Sequence, residues 1–166
     1  VLCFGQENLL NSHNSELVKS YKNITDFSKF SKISVKFNSS VNSNVSYLPC
    51  VVNGILDYFI FDSGCDVGLH LTPKIFLKMI ENKKVFYRDY IGDAVFTKAD
   101  GKSDINKIII IDEVIIGSYN NSLKLKNVLA SVSNSNESIL LLGQDIIKRF
   151  SSVTIDNKNK QIIFLK

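Results

Sequence analysis

The chain has 166 residues, 45% of them apolar, and a formal net charge of +4. That length suits one domain with its own hydrophobic core. Lysines and arginines are scattered along the chain, so we expect no nucleic-acid partner. Three widely spaced cysteines, Cys3, Cys50 and Cys65, argue against a disulfide framework or a zinc knuckle. No apolar run reaches the roughly 20 residues that a membrane-spanning helix needs, so no transmembrane segment is expected.

Residues 1–32 are predicted to form a polar N-terminal arm. Within it, residues 1–6 are a short apolar run ending in Gly5-Gln6, similar to the end of a secretory signal peptide. This pattern predicts an exported protein, periplasmic or extracellular. The alternative is an arbitrary boundary and a cytoplasmic protein. Apolar residues at helical spacing also predict a short helix over Glu16–Asn23.

Residues 33–166 have the pattern of an all-β domain, because short apolar stretches alternate with turn residues. Ile33–Phe37 alternates with period two. Leu48–Val52 and Ile55–Phe61 flank Asn53-Gly54, the dipeptide most typical of a tight β-hairpin, whose two central residues need positive φ.

The second strand of that hairpin ends abruptly at Asp62-Ser63-Gly64. A buried strand that stops at a carboxylate, a hydroxyl and a glycine can hold one acid in a place where the surrounding protein controls its pKa. The same three residue types also make ordinary turns, so this tripeptide alone decides nothing.

Further elements follow in chain order. Thr72 before a proline predicts a capped helix over Pro73–Glu81. The remaining predictions are strands at Val85–Tyr90 and Ala94–Thr97, a hairpin at Asp100-Gly101, strands at Ile105–Asp112 and Val114–Ile116 with a kink near Asp112-Glu113, strands at Leu123–Leu125, Val128–Val132 and Ile139–Leu142, a helix over Gln144–Phe150, and a closing hairpin of Val153–Ile155 and Gln161–Leu165.

Three motifs in this order resemble the retropepsin-like aspartic proteases, over residues 47–166. Residues 61–66 (FDSGCD) are similar to the hydrophobic-Asp-Thr/Ser-Gly signature of that family. Residues 97–102 (TKADGK) resemble its flap hairpin, and residues 141–150 (LLGQDIIKRF) its closing glycine segment and helix. The resemblance implies a closed, single-lobed, all-β barrel with one or two short helices, and a bacterial, exported member is one expectation.

By this resemblance, Asp62 is the catalytic acid of an aspartic endopeptidase, supported by Ser63, Gly64 and Gly143. Asp66 and the flap residues Ala99, Asp100 and Gly101 would bind the substrate, a peptide or an unfolded polypeptide. The chain has one Asp-Ser-Gly, so the resemblance implies a homodimer in which two copies of Asp62 activate one water. It implies no cofactor and no metal.

Some alternatives stay open at this point. Cys65 is either a compact apolar residue or an oxidation-sensitive one. Asp66 either binds the substrate backbone or caps the following turn. A metal site at Asp62, Cys65, Asp66 and His70 is disfavoured, because thiol and carboxylate ligands suit no common site well. We expect His70 to be exposed or bonded locally.

The rival interpretation is a retropepsin fold without catalysis, acting as a dimerisation or peptide-binding module. An intact Asp62-Ser63-Gly64 favours the enzyme, since a binding module has no need of the acid.

Overall fold

The computed structural model describes residues 31–39, 45–98, 100–117 and 121–166, and the backbone alone of residues 3–7, 24–25 and 118. Most of these residues lie in β-strands, and the described chain has two short α-helices. The expected all-β class with one or two short helices is therefore confirmed. The helix predicted over Glu16–Asn23 and the flap residue Ala99 lie outside the described residues.

The strands carry the apolar stretches that alternate in the sequence. They are β1 (Cys3–Glu7), β2 (Ile24–Thr25), β3 (Lys32–Lys36), β4 (Asn38–Ser39), β5 (Ser46–Val52), β6 (Ile55–Phe61), β7 (Leu69–Leu71), β8 (Tyr90–Lys98), β9 (Ser103–Ser118), β10 (Asn121–Val132), β11 (Leu141–Leu142), β12 (Ser152–Asp156) and β13 (Gln161–Leu165). The helices are α1 (Pro73–Glu81) and α2 (Gln144–Ile147).

The main sheet closes on itself. Its strand order β9–β10–β7–β11–β6–β5 returns to the start because β5 also pairs with β9. Strands β8 and then β1 extend it beyond β9, β4 pairs with β5, and β2 pairs with β10. A separate three-stranded sheet has the order β12–β13–β3. The result is a ring of strands with a single lobe, as the resemblance implied.

The long strand β9 divides the interior into two cores, because successive side chains of a strand point to opposite faces. Ile109 and Ile111 pack in the larger core with residues of β5, β6 and β10. Ile108 and Ile110 pack on the other face, in a smaller core that contains Cys65. This smaller core lies between the segment after β6 and the β8–β9 pair.

The β5–β6 hairpin explains how the chain delivers its acid. Asn53 has φ of 45° and Gly54 has φ of 82°, the two positive values that the tight turn requires. Leu48, Cys50 and Val52 of β5 point into the larger core. The hairpin predicted from Asn53-Gly54 is confirmed, and β6 ends at the residue before Asp62.

One predicted strand was wrong. Val85–Tyr90 is not a strand: Tyr87–Asp89 form a 3₁₀ turn, closed by the Phe86 N–H donating to Asp89 Oδ2 at 2.7 Å. Two predicted elements were too long. The helix predicted over Gln144–Phe150 ends at Ile147, and the strand predicted over Ile139–Leu142 is only Leu141–Leu142.

The predicted kink in β9 falls where its pairing with β10 is interrupted. Strand β9 runs through Asp112-Glu113 without ending. Its ladder with β10 skips Asp112, opposite Asn127, which has φ of 53°. The irregularity is therefore in the backbone of β10.

Candidate active site

Asp62 lies directly after β6, at the point where the ring of strands brings β11 beside it. Strand β11 pairs in parallel with β6, and the ladder continues past the strand end, where the Asp62 N–H donates to Leu142 O at 2.9 Å. Asp62, taken as a whole residue, is 7% exposed. A strand pair therefore fixes the backbone of this acid, and the surrounding protein shields most of its side chain.

The acid loop, residues 62–66, folds back on the carboxylate. The Gly64 N–H donates to Asp62 Oδ1 at 2.8 Å, and the Cys65 N–H donates to Asp62 O at 3.2 Å. A backbone donor aimed at a carboxylate oxygen is a charge-assisted hydrogen bond and restricts the side-chain rotamer. One oxygen of Asp62 is therefore held by its own loop.

Gly143 and Gln144 lie against the same loop. The Gln144 N–H donates to Cys65 O at 2.7 Å, and Gln144 Nε2 donates to Ser63 O at 2.7 Å. A Cβ on Gly143 would lie 2.3 Å from Cys65 O and 2.4 Å from Val67 O, closer than atoms can approach. The acid loop and the segment after β11 thus touch backbone to backbone, and only glycine fits between them.

The other residues of the loop differ in their exposure. Ser63 is exposed and Asp66 is half-buried. Cys65 is fully buried in the smaller core, which supports its interpretation as a compact apolar residue rather than an oxidation-sensitive one.

Asp100 and Gly101 lie at the tip of the β8–β9 hairpin, as the sequence placed them. Asp100 is exposed, and Gly101 has φ of 78° with open space around the position of a Cβ. The Lys102 N–H donates to Asp100 Oδ1 at 3.0 Å, and this bond is the main reason that the pKa of Asp100 is lowered. The tip is therefore a compact polar turn that stands out from the sheet.

A cavity of about 300 Å³ opens beneath this hairpin. Its walls come from β7, β8, β9, β11 and the segment after β10, and Asp62 is not among its lining residues. Lys98 of β8 and Asp104 of β9 form an ion pair at its rim. The cavity is thus lined in part by β11, the strand next to β6, but not by Asp62 itself.

His70 lines this cavity, and the expectation that it is exposed or bonded locally is wrong. It is 7% exposed, and its Nδ1 is 2.7 Å from Oγ of Ser131, in the neighbouring strand β10. Burial and, to a lesser extent, the charge of Lys98 lower the pKa of His70 from 6.5 to about 4, although the charge of Asp104 opposes them. His70 is therefore neutral at physiological pH.

Sequence reasoning missed this wall of the cavity because β7 has three residues and no alternating pattern to reveal it. Its position depends on parallel pairing with β10, distant in sequence.

Among the described residues, no three His, Cys, Asp or Glu side chains are grouped so that they could hold a metal ion. No helix in the described part of the chain is long and apolar enough to cross a membrane.

Comparison with known proteins finds similarity in three dimensions only. Neither the protein-family models nor the curated proteins match this sequence. The structure is similar to that of a retropepsin-like aspartic protease from Rickettsia conorii, with a TM-score of 0.53 and 19% identity over 87% of this chain and 94% of that chain.

The chain has a retropepsin-like fold. A retroviral protease-like domain of Ddi1 from Leishmania major is also similar, with a TM-score of 0.45 and 18% identity over 75% of this chain and 97% of that chain. With this fold, one lobe presents the buried acid Asp62, the close backbone contact at Gly143 and a polar hairpin.

Proposed function

We propose that this chain is an aspartic endopeptidase that works as a homodimer and hydrolyses peptide bonds in unfolded polypeptides. The observation that carries the proposal is Asp62, a shielded carboxylate at the end of a buried strand, held by a loop bond from Gly64 at 2.8 Å. The retropepsin-like fold supports the same class.

Peptide hydrolysis of this kind needs two carboxylates on one water. Two acids that lie so close cannot both ionise, so the pair shares a proton. One acid then takes a proton from the attacking water, and the other donates a proton to the substrate carbonyl. The chain contains one Asp-Ser-Gly, so the second acid is Asp62 of another copy across a two-fold axis.

The β8–β9 hairpin would close over the bound polypeptide as a flap. Its tip at Asp100 and Gly101 is exposed, and the hydrogen bonds given for these two described residues lie within the turn, which suits a lid. The substrate would lie beneath it as an added strand, held by main-chain hydrogen bonds. Asp66 and Ala99 complete the proposed substrate contacts, while Ser63 and Gly143 support the acid loop.

The direct test is Asp62→Asn, compared with Asp112→Asn as a control. The first change removes the proposed base and keeps the size of the side chain, while Asp112 is an exposed carboxylate on β9. We expect the first variant to lose at least about a hundredfold of its cleavage of an unfolded polypeptide between about pH 4 and pH 7. The control should cleave as the unaltered protein does.

Wild-type cleavage by Asp62→Asn would remove Asp62 from the proposed mechanism. A purified, unaltered dimer that cleaves nothing over this pH range would instead support the rival function, a dimerisation or peptide-binding module.

A further inference from the structure

The cavity beneath the β8–β9 hairpin has apolar walls and a polar end. Phe96, Ile139 and Leu141 supply apolar surface, and Phe96 and Leu141 are buried. A volume of about 300 Å³ is at the small end of ligand pockets, suited to a single extended side chain rather than a large molecule. These walls would contact the methylene stem of a long side chain.

Asn106 provides the polar end with an unused acceptor. It lies on β9, lines the cavity and is 3% exposed. Among the described residues, its buried Oδ1 atom has no hydrogen-bond partner. Leaving a buried polar atom unsatisfied costs free energy, because the atom has lost its hydrogen bonds to water and gained none in the protein. An occupant that donates a hydrogen bond would remove that cost.

The charges around the cavity select the kind of donor. Four charged residues line it, the cation Lys98 and the anions Asp100, Asp104 and Glu137. Lys98 and Asp104 neutralise each other in an ion pair. Asp100 and Glu137 remain at the exposed rim, and the ion pair of Asp100 with exposed Lys102 is long, at 3.6 Å.

His70 adds no opposing charge. Since burial holds its pKa at about 4, its ring is neutral above about pH 5 and does not repel a cation. The cavity therefore combines an apolar passage, a buried acceptor and two rim carboxylates, the features that a long basic side chain requires.

We propose that this cavity is a subsite for a lysine or arginine side chain of the bound polypeptide. The proposal rests on the proposed function for its biological meaning, but the binding of a cation in the cavity can be measured without catalysis. The stem lies along Phe96 and Leu141, the charged head group donates to Asn106 Oδ1, and the carboxylates of Asp100 and Glu137 at the rim attract its charge.

The first measurement uses n-butylguanidinium and its uncharged isostere n-butylurea, each titrated into the unaltered protein and followed by NMR at the Asn106 and His70 side chains. Both molecules have N–H donors, so the comparison isolates the charge. We expect the guanidinium to bind about tenfold more tightly, equivalent to about 1.4 kcal/mol. Equal affinities, or shifts confined to other residues, would overturn the proposal.

Two variants separate the acceptor from the rim charge. Asn106→Ala should weaken guanidinium binding about tenfold, as expected for a lost hydrogen bond to a charged group. Glu137→Gln changes an exposed rim residue, so it tests the same subsite even if Asn106→Ala fails to fold. We expect it to lower the preference for guanidinium over urea by about twofold to fivefold, within the small range of exposed charge pairs. Unchanged guanidinium affinity in Asn106→Ala, or an unchanged preference in Glu137→Gln, contradicts the assignment.

The second measurement compares cleavage of peptides that carry lysine or norleucine at each position around the scissile bond. At one position lysine should raise kcat/KM about tenfold. Cleavage without such a preference at any position would contradict the proposed subsite, whereas the proposed protease activity would stand. Guanidinium binding at Asn106 without cleavage of any peptide would support the cation subsite and contradict the proposed protease activity.

Discussion

At the residue scale, the acid loop depends on how closely two backbone segments approach each other at Gly143. The bonds from the Gln144 N–H to Cys65 O and from the Gly143 N–H to Gly68 O, 2.7 and 2.9 Å long, hold the segment after β11 against the loop. The position of Asp62 is therefore coupled to a residue 81 positions later in the chain.

Gly143→Ala should disturb both stability and the site. The added Cβ would lie 2.3 Å from Cys65 O, and backbone cannot move aside as a flexible side chain does. We expect unfolding by urea to show a loss of about 3 kcal/mol or more, at the upper end of overpacking effects.

Gly101→Ala is the control for that change. Its Cβ meets nothing within 4 Å, but its φ of 78° is unfavourable for alanine. It should cost only about 1–2 kcal/mol. A Gly143→Ala variant as stable as the unaltered protein would contradict the close approach of the two segments.

His70 should make the protein less stable as the pH falls. Its pKa is about 4 in the folded protein and 6.5 in the unfolded chain, so the unfolded chain binds the proton more readily. The stability contribution is fully present above about pH 6.5, is lost between about pH 6.5 and pH 4, and amounts to roughly 3 kcal/mol.

The variant His70→Gln removes this titration and keeps a polar group near Ser131. The free energy of unfolding of the native protein, relative to that of the variant, should decrease by roughly 3 kcal/mol between about pH 7 and pH 4. A difference that stays constant with pH would show that His70 does not carry a lowered pKa.

At the element scale, local patterns identified the elements whose geometry is decided within a few residues. Asn53-Gly54 predicted the β5–β6 hairpin, and Thr72 before Pro73 predicted the start of α1. Strand β7, of three residues, is too short to carry a periodic pattern, and only the last two residues of the strand predicted over Ile139–Leu142 form β11. The positions of these two strands depend on pairing with strands that are distant in sequence, and a local sequence pattern does not predict such pairing.

The same distinction applies to the candidate site. The acid loop is contiguous in sequence, so its residues could be proposed from the motif. The cavity joins His70, Asn106 and Leu141 from three distant strands, and only the fold brings them together.

Helix α1 offers a test of an element boundary. Thr72 Oγ1 accepts a hydrogen bond from the Ile75 N–H at 3.3 Å. Thr72→Ala should destabilise the protein by about 1 kcal/mol in thermal or urea unfolding, because an N–H of the first turn loses its partner. Thr72→Ser keeps the hydroxyl and should recover most of the loss. Equal stability of the alanine and serine variants would show that the hydroxyl of residue 72 does not stabilise the start of the helix.

At the scale of the whole molecule, the ring of strands produces one lobe with one acid loop. The proposed hydrolysis needs a second acid, so the active unit is predicted to be the dimer. Specific activity should therefore fall on dilution as dimers dissociate. A monomer by light scattering that keeps full activity would contradict the shared site.

The most direct test of the shared acid pair is subunit mixing. Unaltered protein and Asp62→Asn are mixed in equal amounts at constant total concentration and allowed to exchange subunits. Random pairing then leaves about a quarter of the dimers with two acids and about half with one acid. If both carboxylates are needed, activity should fall to about a quarter of that of the unaltered protein. Activity of about half would mean that each copy of Asp62 works alone, and would contradict the shared acid pair.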